Sequence, residues 1–196
     1  MTQLDCIHCT LPMAHCICQW APNITLPQPC ALLFHPNELH KRSNTGRLLK
    51  STTDIQSATW HRLKNTQQEN AFSNYALLYP ADELETNTDA SIQYQAQPQT
   101  SQSTKGLLII DATWQQSQKM LRQSPWLKNL PRVSLGSIQS QYQLRRNQQD
   151  QGLSTLESLA YWLIEQNQRN CGQELLNFLQ TFQTAYLKAR QAGLFK

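Results

Sequence analysis

Short apolar runs bounded by turn-forming residues recur along the chain and predict buried β-strands. The clearest runs cover Cys30–Phe34, residues 75–79 and residues 107–110, with weaker candidates at residues 55–60 and 132–135. Unbroken apolar runs of this length are typical of strands that are covered on both faces. Segments with helix-forming composition alternate with the runs. This order predicts an α/β fold with a mainly parallel sheet flanked by helices.

The end of the chain is predicted to be helical. Ser154 and Glu157 have the spacing of a capping box, in which each side chain bonds the other residue's backbone N–H. Leucines then recur at helical spacing up to residue 163, and a second apolar stripe runs through residues 174–191. Both stripes are typical of core-facing helices. Gly172 is expected to separate the two helices.

The charge and hydropathy of the chain exclude some classes of function but do not identify a single one. The chain has 196 residues and a formal net charge of +4, which permits a polyanionic partner without requiring one. No apolar run has membrane-spanning length, and the first residues lack the basic and apolar regions of a signal peptide. We therefore expect a cytoplasmic protein with no membrane partner. Residues 82–105 contain few large apolar side chains and are expected to form a surface loop.

Four of the six cysteines lie close together near the start of the chain and predict a metal site. They are Cys6, Cys9, Cys16 and Cys18. Thiols stay reduced in the cytoplasm, and four thiolates suit one structural zinc ion with no open coordination position. His8 or His15 is an alternative to one of the sulfurs. We predict a zinc-binding knuckle and linker over residues 1–29 and an α/β catalytic domain over residues 30–196.

Asp111 directly follows the apolar run at residues 107–110, at the predicted carboxyl end of a strand. Ligands of open α/β sheets bind at that edge, so a carboxylate there is well placed for chemistry. Asp is also a favoured helix cap, and the local pattern leaves both interpretations open. Glycine-rich dinucleotide loops and GxxxxGK[ST] phosphate loops are absent from the sequence. A nucleotide-like ligand would therefore need loops of another design.

The most basic stretch of the chain covers residues 35–47 and follows the strand predicted at Cys30–Phe34. Its cations, histidines and small hydrogen-bonding residues suit contacts to phosphate and sugar. A solvated helix start with dispersed charge would have the same composition. The position after a buried strand favours the binding interpretation.

Several separated segments together resemble one family, the DTW-domain proteins. In chain order they are the cysteine cluster, HPNE with Arg42 and NTGR within residues 35–47, DATW at 111–114, YQLR at 142–145 and LSTLE at 153–157. Each motif alone is weak. Their joint occurrence in the family's order covers roughly residues 6–163 and identifies the chain as a member of that family.

This resemblance implies an activity and a fold. Members of the family are tRNA-uridine aminocarboxypropyltransferases, which transfer the 3-amino-3-carboxypropyl group of S-adenosylmethionine to N3 of a tRNA uridine and release methylthioadenosine. The implied partners are tRNA and S-adenosylmethionine, the latter as donor substrate. The family is similar to the SPOUT class, so a trefoil-type knot in the sheet is implied, although no sequence pattern by itself predicts a knot.

On this hypothesis Asp111 is the catalytic base that takes the N3 proton. Residues at strand ends and at the start of a predicted helix are the candidates for binding S-adenosylmethionine: Tyr79, Pro80, Thr113, Trp114, Ser134, Leu135, Gly136, Leu153, Ser154 and Thr155. The candidates for binding tRNA are His35, Arg42, Asn44, Thr45, Arg47, Arg145 and Arg146. The arginines suit the methionyl carboxylate equally well. Trp114 is interpreted as a packed core aromatic, with stacking on adenine or the target base as the alternative.

Three other classes of function stay open from the sequence. Aspartate-dependent phosphatases also have a buried strand that ends in Asp. Those enzymes usually carry a second carboxylate two residues later, and this chain has Thr113 at that position. An S-adenosylmethionine-dependent RNA methyltransferase would keep the donor and transfer a different group. A non-catalytic RNA-binding module would use the zinc knuckle and the basic segment.

Overall fold

The computed structural model describes residues 4–80, 104–144 and 152–195. Most of the predicted surface loop, at residues 82–103, lies outside the described residues, and so do the predicted binding residues Arg145 and Arg146.

Five strands form one parallel sheet within the described part of the chain. They are β1 (Cys30–Phe34), β2 (Gln56–Thr59), β3 (Tyr75–Leu78), β4 (Gly106–Asp111) and β5 (Arg132–Val133). Their order across the sheet is β2-β1-β4-β3-β5, with β4 in the centre and every neighbouring pair parallel. The predicted α/β architecture is confirmed, and strands form in all five predicted regions. The last one is shorter than the predicted run at residues 132–135.

The α-helices of the described residues are α1 (Gly46–Thr52), α2 (Asn65–Phe72), α3 (Trp114–Gln123), α4 (Pro125–Asn129), α5 (Thr155–Glu165) and α6 (Arg169–Gln191). Gly172 does not separate the last two helices, so that prediction is wrong. It lies inside α6, where a Cβ atom would be 2.4 Å from the backbone oxygen of Ala160 in α5. The chain turns instead at Asn167, whose φ of 62° is a left-handed conformation that Asn tolerates.

The sheet is covered on both faces, which explains its unbroken apolar strands. Alternate residues of the central strands point to opposite sides. Leu32 and Ile109 belong to a hydrophobic cluster with side chains of α1, α5 and α6. Leu33 and Leu108 belong to a second cluster with side chains of α2, α3 and α4.

The N-terminal segment packs into the first of these clusters through Leu11 and Ile17, both fully buried. Ile24 then donates its backbone N–H to Thr52 O at the end of α1, at 2.8 Å. The division into two domains stays a prediction, and so does the knot. No described helix combines the length and apolar character needed to cross a membrane.

Candidate active site and cysteine cluster

The register of the strands places several predicted site residues along one edge of the sheet. Phe34 at the end of β1 lies opposite Asp111 at the end of β4. On the other side of β4, Leu78 of β3 lies opposite Ile109 and is also paired with Val133 of β5. The residues that follow β1, β3 and β5 therefore reach the edge where Asp111 lies. This carboxyl edge is where parallel α/β sheets bind ligands.

Asp111 lies at this edge and is only 4% exposed. Asn44 Nδ2 donates to Asp111 Oδ2 at 2.6 Å, and Thr155 Oγ1 donates to Asp111 Oδ1 at 2.7 Å. The backbone oxygen of Asp111 accepts from His35 N at 3.0 Å. One residue thus joins the end of β4 to the loop before α1 and to the first turn of α5.

The interpretation of Asp111 as a helix cap is wrong. Thr113 caps α3, with its Oγ1 accepting from Gln116 N at 3.3 Å and the Gln116 side chain accepting from Thr113 N at 2.8 Å. Among the described residues, Asn44 and Thr155 are neutral donors that fix the direction of the Asp111 carboxylate. A carboxylate fixed at this edge is compatible with the general-base role predicted for it.

Gly46 brings the start of α1 directly against this carboxylate. A Cβ atom at position 46 would lie 2.4 Å from Asp111 Oδ2 and 2.8 Å from its carboxyl carbon. Real side chains do not approach so closely, so the site requires glycine here. In the sequence Gly46 belongs to the NTGR motif, and nothing in that motif by itself indicates a role for it. A glycine flanked by candidate binding residues on both sides was the available signal.

Trp114 is exposed, and its interpretation as a packed core aromatic is therefore wrong. It is 57% exposed and begins α3 just beyond the sheet edge. One face of its indole stacks on the buried ring of Tyr79, with ring centroids 5.5 Å apart and planes 13° apart. The Tyr79 hydroxyl contacts Ser117 Oγ at 3.0 Å and accepts from Gln118 Nε2 at 3.2 Å. An aromatic ring supported in this way is suited to stacking on a nucleobase.

The basic segment is tied into the fold rather than freely solvated. Arg42 donates to Thr10 O at 2.7 Å and to Asp5 Oδ2 at 2.5 Å, which joins the segment to the cysteine-rich loop. Arg47 donates to the backbone oxygen of Leu39. Burial lowers the pKa of Arg47 while the negative charge of Asp111 opposes that shift. Guanidinium groups stay protonated under such conditions, so Arg47 is a fixed cation near the carboxylate.

His35 and Thr45 occupy buried positions beside the same edge. The His35 ring stacks on Trp60 at 5.8 Å, and its Nδ1 accepts from Asn37 N at 3.2 Å. Burial lowers the pKa of His35, which favours the neutral imidazole. Thr45 Oγ1 accepts from Leu156 N at 3.4 Å, which is a second link between the NTGR motif and α5.

Glu157 has a wider role than the capping box predicted for it. The predicted box with Ser154 is present, since Glu157 Oε2 accepts from Ser154 N at 2.7 Å. The fully buried carboxylate also accepts from Ser140 Oγ at 2.8 Å and from Gln141 N at 2.6 Å. The next residue, Tyr142, donates its hydroxyl to the backbone oxygen of Ser43. Local spacing could reveal the cap, but it could not reveal these long-range partners.

Comparison with known proteins decides the family. A model of the DTW domain matches residues 3–187, which is nearly the whole chain. The chain belongs to the DTW domain family. A curated relative, tRNA-uridine aminocarboxypropyltransferase 2 of Mus musculus, is 24% identical over an alignment 192 residues long, and this alignment covers 88% of the chain. The chain spans only 59% of that relative's length. No solved structure matches.

The DTW domain thus brings part of the predicted site into direct contact. Asn44, Asp111 and Thr155 are hydrogen-bonded, and Tyr79 is stacked with Trp114. The other candidates for donor binding lie at strand ends or helix starts, with different exposure. Pro80, Thr113 and Gly136 are exposed, Ser134, Leu135 and Leu153 are partly buried, and Ser154 is buried. Their roles in binding stay predictions.

The four N-terminal cysteines form a compact cluster, and their sulfur atoms all lie within 4.8 Å of one another. The Sγ atoms of Cys6 and Cys18 are 3.6 Å apart, and those of Cys9 and Cys16 are 3.9 Å apart. Tetrahedral zinc with Zn–S bonds of about 2.3 Å separates its sulfurs by about 3.8 Å. The cluster therefore has the spacing that a zinc ion requires. Within the described residues it consists of these four sulfurs and includes neither of the predicted histidine alternatives.

A test of the close approach at Gly46 is the substitution Gly46→Ala in the DTW domain. The added methyl group displaces the Asp111 carboxylate or the start of α1, and a shift of about 1 Å in a reacting group costs about 10²-fold in rate. We expect any activity that depends on Asp111, measured as product per minute, to fall by about that factor while the protein stays folded.

The matched control is Gly172→Ala, whose Cβ atom meets the backbone oxygen of Ala160 at 2.4 Å, between α5 and α6. Overpacking there is expected to cost about 1–3 kcal/mol of stability. Activity measured well below the melting temperature should stay normal in this control. Equal activity in the two variants would contradict the role given to Gly46.

Proposed function

We propose that the chain is a tRNA-uridine aminocarboxypropyltransferase. It would transfer the 3-amino-3-carboxypropyl group of S-adenosylmethionine to N3 of a tRNA uridine, with release of methylthioadenosine. Membership of the DTW domain family and the name of the Mus musculus relative support this activity. The observation that carries the proposal is Asp111, a buried carboxylate fixed at the ligand-binding edge of the sheet by Asn44 and Thr155.

The proposed reaction is a displacement at carbon. S-Adenosylmethionine, as donor substrate, supplies a γ-carbon that is already activated by the positively charged sulfur. The uridine N3 gives its proton to the Asp111 carboxylate and forms a bond to this carbon. The carbon–sulfur bond breaks, and its electron pair goes to sulfur, which leaves as the neutral thioether of methylthioadenosine. Atoms and charge balance once the protonated Asp111 releases its proton to water.

The neighbouring residues would act by fixing the base. Asn44 and Thr155 donate to different oxygens of Asp111, so they keep the carboxylate from rotating. Positioning of a reacting group is one of the larger contributions that an active site makes to rate. Arg47 places a cation near this carboxylate, where it suits the carboxylate of the donor or a phosphate of tRNA.

Trp114 is the residue that would hold a flat ring beside Asp111. It begins α3 only three positions after Asp111, and the face of the indole away from Tyr79 is available because the side chain is 57% exposed. Base stacking on an aromatic platform tolerates any base, so the adenine of the donor and the target uridine both fit it. In this proposal Trp114 does not distinguish one base from another, and residues other than Trp114 select the base.

The cysteine cluster would hold a structural zinc ion. All four sulfurs are protein ligands, and their spacing suits tetrahedral coordination, which leaves no open position for a substrate. The ion would fix the N-terminal loop from which Leu11 and Ile17 enter the core. Arg42 would connect this loop to the basic segment beside the active site.

An isotope experiment tests the proposed reaction. Unmodified tRNA is incubated with the protein and with S-adenosylmethionine that carries label either in the methionyl carboxyl carbon or in the S-methyl carbon. We expect tRNA to acquire the carboxyl label and none of the methyl label. Incorporation of the methyl label would overturn the proposal in favour of RNA methylation.

A further inference from the structure

A concave site lies between the cysteine-rich loop and α6. Its volume is about 600 Å³, within the range of cavities that bind small ligands. None of its lining residues belongs to the Asp111 site. Those that matter for its chemistry are His15, Trp20, Asn177, Gln180, Thr184 and Lys188.

One wall of this cavity is a polar stripe along α6. Asn177, Gln180, Thr184 and Lys188 are spaced three or four residues apart and so lie on one face of the helix. They offer amide, hydroxyl and ammonium donors in a row, with Lys188 near the end of the helix. No Asp or Glu lines the cavity. Cys16 of the cysteine cluster also lines it, so the groups that suit an anionic ligand with several acceptors are those along α6.

The opposite wall comes from the cysteine-rich loop and presents an aromatic side chain. Trp20 is 58% exposed although it lines the cavity. This wall is held in place because Ile17 is fully buried and because Arg42 bonds Thr10 and Asp5 of the same loop. A preorganised aromatic face loses little conformational entropy when a flat ring stacks on it.

We propose that this cavity binds a single-stranded segment of RNA, with one base stacked on Trp20 and the neighbouring phosphate at Lys188. Aromatic stacking combined with a cation is the usual recognition of unpaired nucleotides. The inference rests on the proposed function, in which tRNA is the substrate. It adds a contact surface that is separate from the residues around Asp111.

Binding of an unmodified tRNA transcript to the full chain, followed by fluorescence anisotropy, tests the proposal. Trp20→Ala is expected to weaken binding about tenfold, while Trp20→Phe keeps most of the stacking. Lys188→Gln is expected to lower the slope of log K against log salt by about one, since one phosphate contact is lost. Melting temperature and bound zinc should be unchanged, because Trp20 and Lys188 are exposed.

Two matched controls remove comparable groups elsewhere. Leu63→Ala removes another exposed apolar side chain, 87% exposed, and Lys128→Gln removes an exposed cation from α4, which packs on the other face of the sheet. Both should bind tRNA like the wild type. If Trp20→Ala and Lys188→Gln also bind like the wild type, the proposal is overturned while the proposed function stands.

Two further outcomes have separate meanings. If the wild type shows no tRNA binding, the proposed function and this inference fail together. The other outcome is that Trp20→Ala weakens the binding of uridine monophosphate but leaves the affinity for tRNA unchanged. In that case the cavity binds a free nucleotide, and the RNA proposal is overturned.

Discussion

Asp111→Asn is expected to abolish most of the group transfer while leaving the fold intact. Loss of a positioned general base costs about 10²–10⁴-fold in rate. The amide has the shape of the carboxylate, so its oxygen can still accept from Asn44 Nδ2 and its nitrogen can donate to the Thr155 hydroxyl. We therefore expect a normal melting curve and normal tRNA affinity. The loss of activity is measured as product formed per folded molecule.

The pH dependence distinguishes a base from a merely structural carboxylate. Raising the pH removes the uridine N3 proton without help from the protein. The Asp111→Asn variant should therefore recover part of its activity at alkaline pH, relative to the wild type. Asp54→Asn, at an exposed carboxylate, is the control and should behave like the wild type. Near-normal activity of Asp111→Asn at neutral pH would remove Asp111 from the role of base.

Removal of zinc is expected to have the largest effect on stability. The purified protein should contain one zinc ion per chain by elemental mass spectrometry. A strong chelator should lower the melting temperature by about 10 °C or more, which corresponds to about 3–5 kcal/mol for a chain of this size. The physical reason is that the cluster fixes the loop that carries Leu11 and Ile17 into the core.

Single cysteine variants give the same test without a chelator. Cys9→Ser changes a cysteine of the cluster that is 1% exposed and should lower both zinc content and melting temperature. Cys171→Ser changes a cysteine of α6 that lies outside the cluster and should leave both unchanged. A protein that contains no zinc and melts at the same temperature with and without chelator would contradict the structural role.

The elements of this fold that are local in sequence could be predicted from it. Apolar runs located the strands because the sheet is covered on both faces, and the Ser154–Glu157 spacing located the start of α5. Gly172 was wrongly predicted to separate two helices, because glycine is common at helix ends. Here it serves the close packing of α6 on α5, which depends on residues 12 positions away.

The position of Asp111 at the sheet edge was predictable from the sequence, but its contacts were not. The position after β4 singled out Asp111, whereas its contacts with Asn44 and Thr155 join residues 67 and 44 positions away. The exposure of Trp114 follows from where α3 begins relative to the sheet edge, and no residue pattern encodes that. Gly46 becomes significant only when the carboxylate it faces is known.

The most direct test of the proposed reaction is a mass spectrum of the nucleosides obtained from unmodified tRNA after incubation with the protein and S-adenosylmethionine. We expect a uridine that is heavier by one 3-amino-3-carboxypropyl group, together with an equal amount of released methylthioadenosine. A methylated nucleoside, or a broad tRNA pool in which no nucleoside changes mass, would contradict it.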